Sequence, residues 1–423
     1  MKQQTFNSKS PWLWVPTLYF VEGLPYFIVN TISLIMFKDM GMDNGTLALL
    51  TSLISLPWVV KPLWSPFVDI FRSKRWWILC MQMIMLATVA LTAASVRLST
   101  FSVTLILFII AAFASATHDI AADGFYMIAL DKKQQSAFVG IRSTFYRIAS
   151  VFGQGVLVVL AGILERRMDN VPAAWSVTMV ISAVILGAFT IYHCFVLPKP
   201  SDDVNAGGVR DVRDVMKEFG GAFASFFRKK GVWLAIAFML LYRLPEAFSV
   251  KMLFPFFRDP VEAGGLGFTT DMYGIVFGTF GVAALLAGGI LGGLAAARNG
   301  LRKCLWPMAL SLALPCSVYL YMSLAQPESL LVVGACVVLD QFGYGFGFSA
   351  YMLYMMHFSQ GPLKTSHYAI CTAFMALSMM LPGLVAGYLQ EALGYVGFFI
   401  LVMICCFATF FVTFFVRRRL PSE

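Results

Sequence analysis

Apolar stretches of twenty or more residues, separated by short polar breaks, recur from one end of this chain to the other. The strict alternation of a membrane β-barrel strand is absent. About twenty apolar residues are enough to cross about 30 Å of hydrocarbon as a helix, and a helix satisfies its own backbone polar groups where lipid cannot. Twelve spans are predicted, over residues 12–37, 45–69, 76–96, 102–129, 137–164, 174–197, 231–257, 269–297, 304–325, 329–357, 366–391 and 394–416. Connections are mostly short. The exception, 198–230, opens on Pro, Asp and Gly and ends in a basic amphipathic stretch, which predicts a linker with a short helix on the membrane surface. The expected organisation is an N-terminal six-helix bundle (1–197), a cytoplasmic linker (198–230) and a C-terminal six-helix bundle (231–423). The polar N-terminus enters the first span without a small-residue cleavage site, so an uncleaved span is expected rather than a signal peptide.

Composition agrees with this pattern. The 423 residues are 59% hydrophobic and 13% charged, whereas soluble domains are about a quarter charged. The net charge of +9 would suit nucleic acid, but its distribution speaks for topology. With the N-terminus inside, 21 of the 31 Lys and Arg fall in cytoplasmic segments and 5 in the opposite loops. The positive-inside rule then puts both termini in the cytoplasm and removes the need for a nucleic-acid partner. All eight cysteines lie in predicted spans without a CxxC pair and read as small apolar packing residues. There is no glycine-rich loop ending in GK[ST], no HExxH and no paired metal-ligand spacing, so neither an enzyme, a cofactor nor a metal is expected. Without an ATPase cassette, any transport must draw on a gradient.

The two halves look related. The fourth span ends "DGFYMIAL" and the tenth contains "SAYMLYMM", so Tyr126 aligns with Tyr351; the first and seventh spans hold "FVEGLPYF" and "YRLPEAF". Six plus six spans with a central loop fit a transporter of two parallel repeats with its site between them.

Charges inside spans are costly and usually face a cavity or a partner. They are Glu22, Lys61, His118, Asp119, Asp123, Arg142, Arg147, Arg243, Glu246, Lys251 and Asp340. Asp119 and Asp123, four apart, share a helix face. With Arg142 and Arg147 on the next span they form either a fixed ion-pair staple or a carboxylate that exchanges its proton as the arginine moves. Glu22, beside Gly23 and Pro25 and without a local partner, is the first choice for proton coupling; the plainer reading is a protonated acid donating one structural hydrogen bond. Arg243 and Glu246, three apart, either pair locally or leave Arg243 free to grip a carboxylate or phosphate with two parallel bonds. Lys61 snorkels or binds substrate. Asp340 lies mid-span, among Gly343, Gly345 and Gly347, whose plain role is close helix packing. Trp58, Trp64, Tyr126, Tyr242, Tyr344 and Tyr351 are candidates to stack on sugar rings, although membrane proteins use aromatics as anchors and filler regardless.

The segments "KPLWSPFVDIFRSKRWWIL" (61–79), "SATHDIAADGFYMIALDKKQQSAFVGIRSTFYRIA" (115–149) and "KTSHYAICTAFMALSMMLPGLVAGYLQEALGYVGFF" (364–399) resemble the AmpG-like muropeptide permeases. These belong to the major facilitator superfamily and are grouped with the acetyl-CoA transporters. The resemblance covers essentially the whole chain, in order and spacing. It implies an all-α integral membrane protein of twelve helices in two pseudo-symmetric six-helix bundles. It also implies proton-coupled import of anhydro-muropeptides across a bacterial inner membrane for peptidoglycan recycling. Lys61, Ser65, Pro66 and Asp69 match its second-span motif, Asp119 and Asp123 its fourth-span aspartates, and Arg147 the arginine that follows. Asp69 with Arg72 and Arg75 fits the superfamily's gating loop. The chain departs in lacking two additional spans of well-known members, and in His118, where a glutamine is common.

The expected partners are thus a small glycopeptide, protons and the bilayer, with the chain a monomer. Glu22, Asp119, Asp123, Glu246 and Asp340 are the proton-coupling candidates. Lys61, Arg147, Arg243, Tyr126, Tyr242, Tyr351 and Trp58 are the substrate-binding ones. Rivals are acetyl-CoA, another anionic conjugate or a drug as cargo, or a receptor for wall fragments that transports nothing.

Overall fold

The structure, a computed structural model, describes residues 10–200, 203, 212–361 and 363–420. All of its regular elements are helical. Among the described residues eleven are long and apolar enough to cross a membrane: Pro11–Asp39, Asn44–Leu63, Lys74–Arg97, Phe101–Ala129, Lys133–Met168, Val171–Val196, Val232–Arg258, Thr270–Asn299, Leu301–Ala325, Leu330–Ser359 and Ser366–Arg419. The last has 54 residues, about 80 Å if straight, far more than a bilayer's thickness. It is broken at Gly394, whose φ of 68° and ψ of 173° lie outside helical space and suit only a residue without Cβ. Two spans therefore meet there, and the twelve are numbered one to twelve below. Bulky side chains such as Ile106, Val184, Ile191, Phe195, Leu331, Phe407 and Phe411 are exposed, as expected of helix faces whose solvent is lipid.

Several spans are interrupted where proline removes a backbone donor. Span two divides into Asn44–Ile54, Leu56–Val60 and a 3₁₀ turn Lys61–Leu63, with Ser65–Ile70 following. Pro57, Pro62 and Pro66 punctuate this stretch, and Lys61 sits at a break rather than on a continuous helix. Span seven divides into Val232–Leu241 and Leu244–Arg258, and Pro245 opens the second piece. Span one runs through Pro16 and Pro25 into a π-helical turn, Ile28–Ile32. Such breaks are tolerated at membrane depth where backbone lines a cavity or is covered by protein.

The chain forms two compact units. One comprises residues through Ser33 with Val60–Gly153 and Ile163–Glu218; the other comprises Leu34–Val59, Gln154–Gly162 and Phe219 onward. Trp14, Leu18, Tyr19, Ile78, Phe125 and Tyr126 centre the core of the first. Phe226, Phe238, Tyr242, Met308, Tyr351 and Met355 centre that of the second. The helix Val212–Phe227 supplies Phe226 to the second unit. There Ser225 Oγ lies 2.8 Å from His367 Nε2, and Lys229 donates to Phe358 O at 2.6 Å and Gln360 O at 2.8 Å, capping the carbonyl end of span ten.

Candidate functional site

In the first unit a charged cluster assembles from spans one, four and five and the 3₁₀ turn that ends span two. Lys61 Nζ lies 3.8 Å from Asp119 Oδ2. Arg142 Nη2 lies 2.7 Å from Asp123 Oδ1, and Tyr19 donates a long 3.5 Å bond to the same oxygen. The Arg142 guanidinium covers the rings of Tyr19 at 4.6 Å and Tyr126 at 5.5 Å. Tyr126 turns its hydroxyl to Gln135 O at 2.5 Å, so its ring is what it offers. Glu22 is buried, and its Oε2 has no hydrogen-bond partner. Arg147 is exposed. Arg142 is therefore the arginine that pairs with Asp123, although helix spacing places both arginines on the neighbouring span.

His118 is completely buried and belongs to a different set of contacts from its neighbour Asp119. Its Nε2 lies 3.0 Å from Gln82 Nε2, Gln82 Oε1 lies 3.1 Å from His193 Nδ1, and His193 Nε2 lies 3.0 Å from Thr17 Oγ1. This string ties spans one, three, four and six together behind the charged cluster.

In the second unit Arg243 occupies the break of span seven with φ −105° and ψ 14°. It is buried, and its guanidinium lies over Phe348 at 4.8 Å, Tyr344 at 5.4 Å and Tyr351 at 5.6 Å. Nη2 donates to Glu246 at 3.1 Å and to the Tyr344 hydroxyl at 2.5 Å, while Nε has no partner. Tyr242 and Tyr351 donate to Gly347 O at 3.1 Å and Met239 O at 2.8 Å. Their hydroxyls are committed to main chain and their rings form walls. Asp340 accepts from Tyr319 at 2.7 Å and from Gln341 at 3.0 Å. Trp58 is buried in the same unit. Tyr344, one of the aromatics expected to stack on sugar rings, and Phe348, which sequence reasoning passed over, complete the walls around Arg243 from the "GYGFGF" run of span ten; the spacing of four between Tyr344 and Phe348 was the available signal.

Of the expected gating residues, the side chain of Asp69 lies outside the described residues. Arg72 is exposed, adopts φ 67° and lies 6.0 Å over the Trp76 ring. Arg75 donates to Cys194 O at 2.6 Å and Leu197 O at 3.3 Å, at the end of span six in its own unit. The amides of Lys74 and Arg75 donate to the Asp203 carboxylate at 2.6 and 3.0 Å. Burial pushes the Asp203 carboxyl above its ordinary range, against the pull of these two bonds.

Comparisons with known proteins bear on the family and the fold. The profile of the Major Facilitator Superfamily matches residues 17–362. Putative transporter AmpG 4 of Rickettsia felis is 24% identical over 413 residues, covering 94% of each chain. The anhydromuropeptide permease of Escherichia coli K12 is 24% identical over 388 residues, 90% of this chain and 75% of that one. Among solved structures, the nucleoside transporter NupG superposes with a TM-score of 0.73 at 16% identity, over 98% of this chain and 100% of that one. A D-xylose–proton symporter gives 0.72 at 11% identity, over 97% of each. At such identities the structural likeness speaks for the fold alone. With the profile spanning most of its length, this chain belongs to the Major Facilitator Superfamily and is a membrane transporter, not an enzyme.

Proposed function

We propose that the protein imports anhydro-muropeptides, or closely similar anionic glycopeptides, across a bacterial inner membrane by alternating access, driven by protons. The observation that carries this reading is Arg243, a buried guanidinium at a helix break, walled by three rings and keeping one N–H unpaired. A guanidinium holds a carboxylate bidentately, and aromatic faces suit the apolar faces of sugar rings. The anhydromuropeptide permease among the relatives supports the cargo. Proton coupling is supported by the first unit. There three carboxyl groups, Glu22, Asp119 and Asp123, stand with two cations, Lys61 and Arg142. Neutrality requires one proton, and Glu22, which lacks a cation, is the cheapest place for it. Both termini and the basic loops lie in the cytoplasm on this reading.

Uptake of labelled GlcNAc-anhydroMurNAc peptide into proteoliposomes tests it. An inside-alkaline gradient should drive accumulation above equilibrium, and a protonophore should abolish it. Accumulation that ignores the proton gradient would remove the coupling. Absence of glycopeptide uptake, with acetyl-CoA or another anion taken up instead, would remove the cargo.

A further inference from the structure

Spans one and seven, equivalent in the two halves, each end in a basic–acidic dipeptide: Lys38–Asp39 and Arg258–Asp259. Each dipeptide begins thirteen residues after the proline that the two halves share, Pro25 and Pro245. Residues 34–59 belong to the same compact unit as the second half, and within it the dipeptides pair reciprocally. Lys38 Nζ lies 2.6 Å from Asp259 Oδ1, and Arg258 Nε lies 3.0 Å from Asp39 Oδ1.

The reciprocity extends one residue further on each side. Asp259 accepts from Asn44, the first residue of span two, at 3.2 Å. Asp39 accepts from Thr270, the first residue of span eight, at 2.9 Å. Spans two and eight are again equivalents. Asn44 also donates to Gln390 at 2.6 Å, Tyr395 donates to Asp259 at 2.6 Å, and Glu391 accepts from the Gly45 amide at 2.7 Å. The side chains of Lys38 and Asp259 are 12% and 18% exposed, and Asp39 is fully buried beneath an Arg258 that is 32% exposed, so solvent and salt screen these pairs less than a surface pair, the Lys38 pair least. Paired surfaces that repeat the same contact about a two-fold axis are self-complementary. They also separate together, because moving one pair apart moves its mate.

We propose that this double pair is the lock of the end of the molecule bearing the 40–43 and 259–269 loops, closed here and opened once in each transport cycle. The proposal rests on the alternating-access reading of the chain but on neither its cargo nor its coupling ion. It departs from the gating residues expected at Asp69, Arg72 and Arg75, which lie at the opposite ends of the helices.

Amide hydrogen exchange on the purified full-length protein in nanodiscs, without substrate, tests it. Lys38→Asp and Asp259→Lys should each raise exchange in residues 39–47 and 258–268 by tenfold or more. They should also slow exchange around 70–73 and 298–303, because opening one end closes the other. The double reversal should return both ends to within about threefold of the unaltered protein. Asp259→Asn, which keeps the shape and removes the charge, should act in the same direction with smaller size and serves if the reversals fold poorly. Faster exchange at both ends would mean that the pairs merely hold the fold together, and would overturn the proposal. So would unchanged exchange in Asp259→Asn. Failure of glycopeptide uptake would leave these results unaffected.

Discussion

Arg243 and Glu22 are the two side chains whose surroundings ask most of the chemistry. Arg243 shares one nitrogen between Glu246 and Tyr344 and keeps Nε unpaired inside a ring of aromatics. Removing one partner of a buried charged contact costs about 2–5 kcal/mol, much of it from the charge left behind. Arg243→Ala should therefore weaken glycopeptide affinity more than tenfold, measured by binding to a well-folded variant. Lysine should restore only part, since it keeps the charge and loses the planar fork. Near-normal affinity in Arg243→Ala would take this residue out of the site. Glu22 is tested by a different observable. Glu22→Gln keeps the volume and one hydrogen-bond pattern of the protonated acid, so it should abolish gradient-driven accumulation while sparing counterflow exchange, which moves no net proton. Accumulation that persists would return Glu22 to a structural role.

At the scale of elements, helix ends and helix contacts carry the argument. Asp43 caps span two by accepting the Thr46 amide at 2.7 Å. That bond holds its carboxyl below the ordinary carboxylate range. A carboxyl so shifted favours the charged form in the folded chain. Its contribution is present at neutral pH, above the ordinary range, and is lost as the pH falls through the lowered value. Asp43→Ala should cost about 1 kcal/mol, as cap removals typically do, and the difference from the unaltered protein should shrink on acidification, read by thermal unfolding at several pH values. A second contact is steric. A Cβ at Gly387 would overlap the carbonyl oxygen of Asn44, so spans two and eleven meet backbone to backbone. Gly387→Val should either lower thermal stability by several degrees or raise amide exchange across 44–50. Neither change would show that the two helices separate at no cost.

For the whole molecule, the compact units differ from the sequence halves. Segments 34–59 and 154–162 leave the first half and pack with the second. Residues 1–197 produced alone should therefore lack the partners of those segments and aggregate. Two fragments divided between 204 and 211 should associate when produced together. Co-purification of a monodisperse pair checks this, and a soluble, folded first half would contradict it.

Some of this was written in the residue string and some was not. Hydropathy determined the helices and their number, because in lipid each span must satisfy its own backbone whatever surrounds it. Even the last, continuous in hydropathy, divides at Gly394. The string also named the charges that need explaining, since an ionisable group in an apolar run is conspicuous without any neighbour being known. The partners of those charges were decided only by tertiary structure. Arg142 rather than Arg147 meets Asp123, His118 turns from Asp119 to Gln82, and Lys38 finds Asp259. Periodicity fixes which residues share a face of one helix. It leaves open the rotation and height of each helix against the next, and those two quantities decide which cation reaches which carboxylate. The reciprocal dipeptides at the ends of spans one and seven stood in the sequence as ordinary loop charges. Only the packing of residues 34–59 against the second half turned them into a pair.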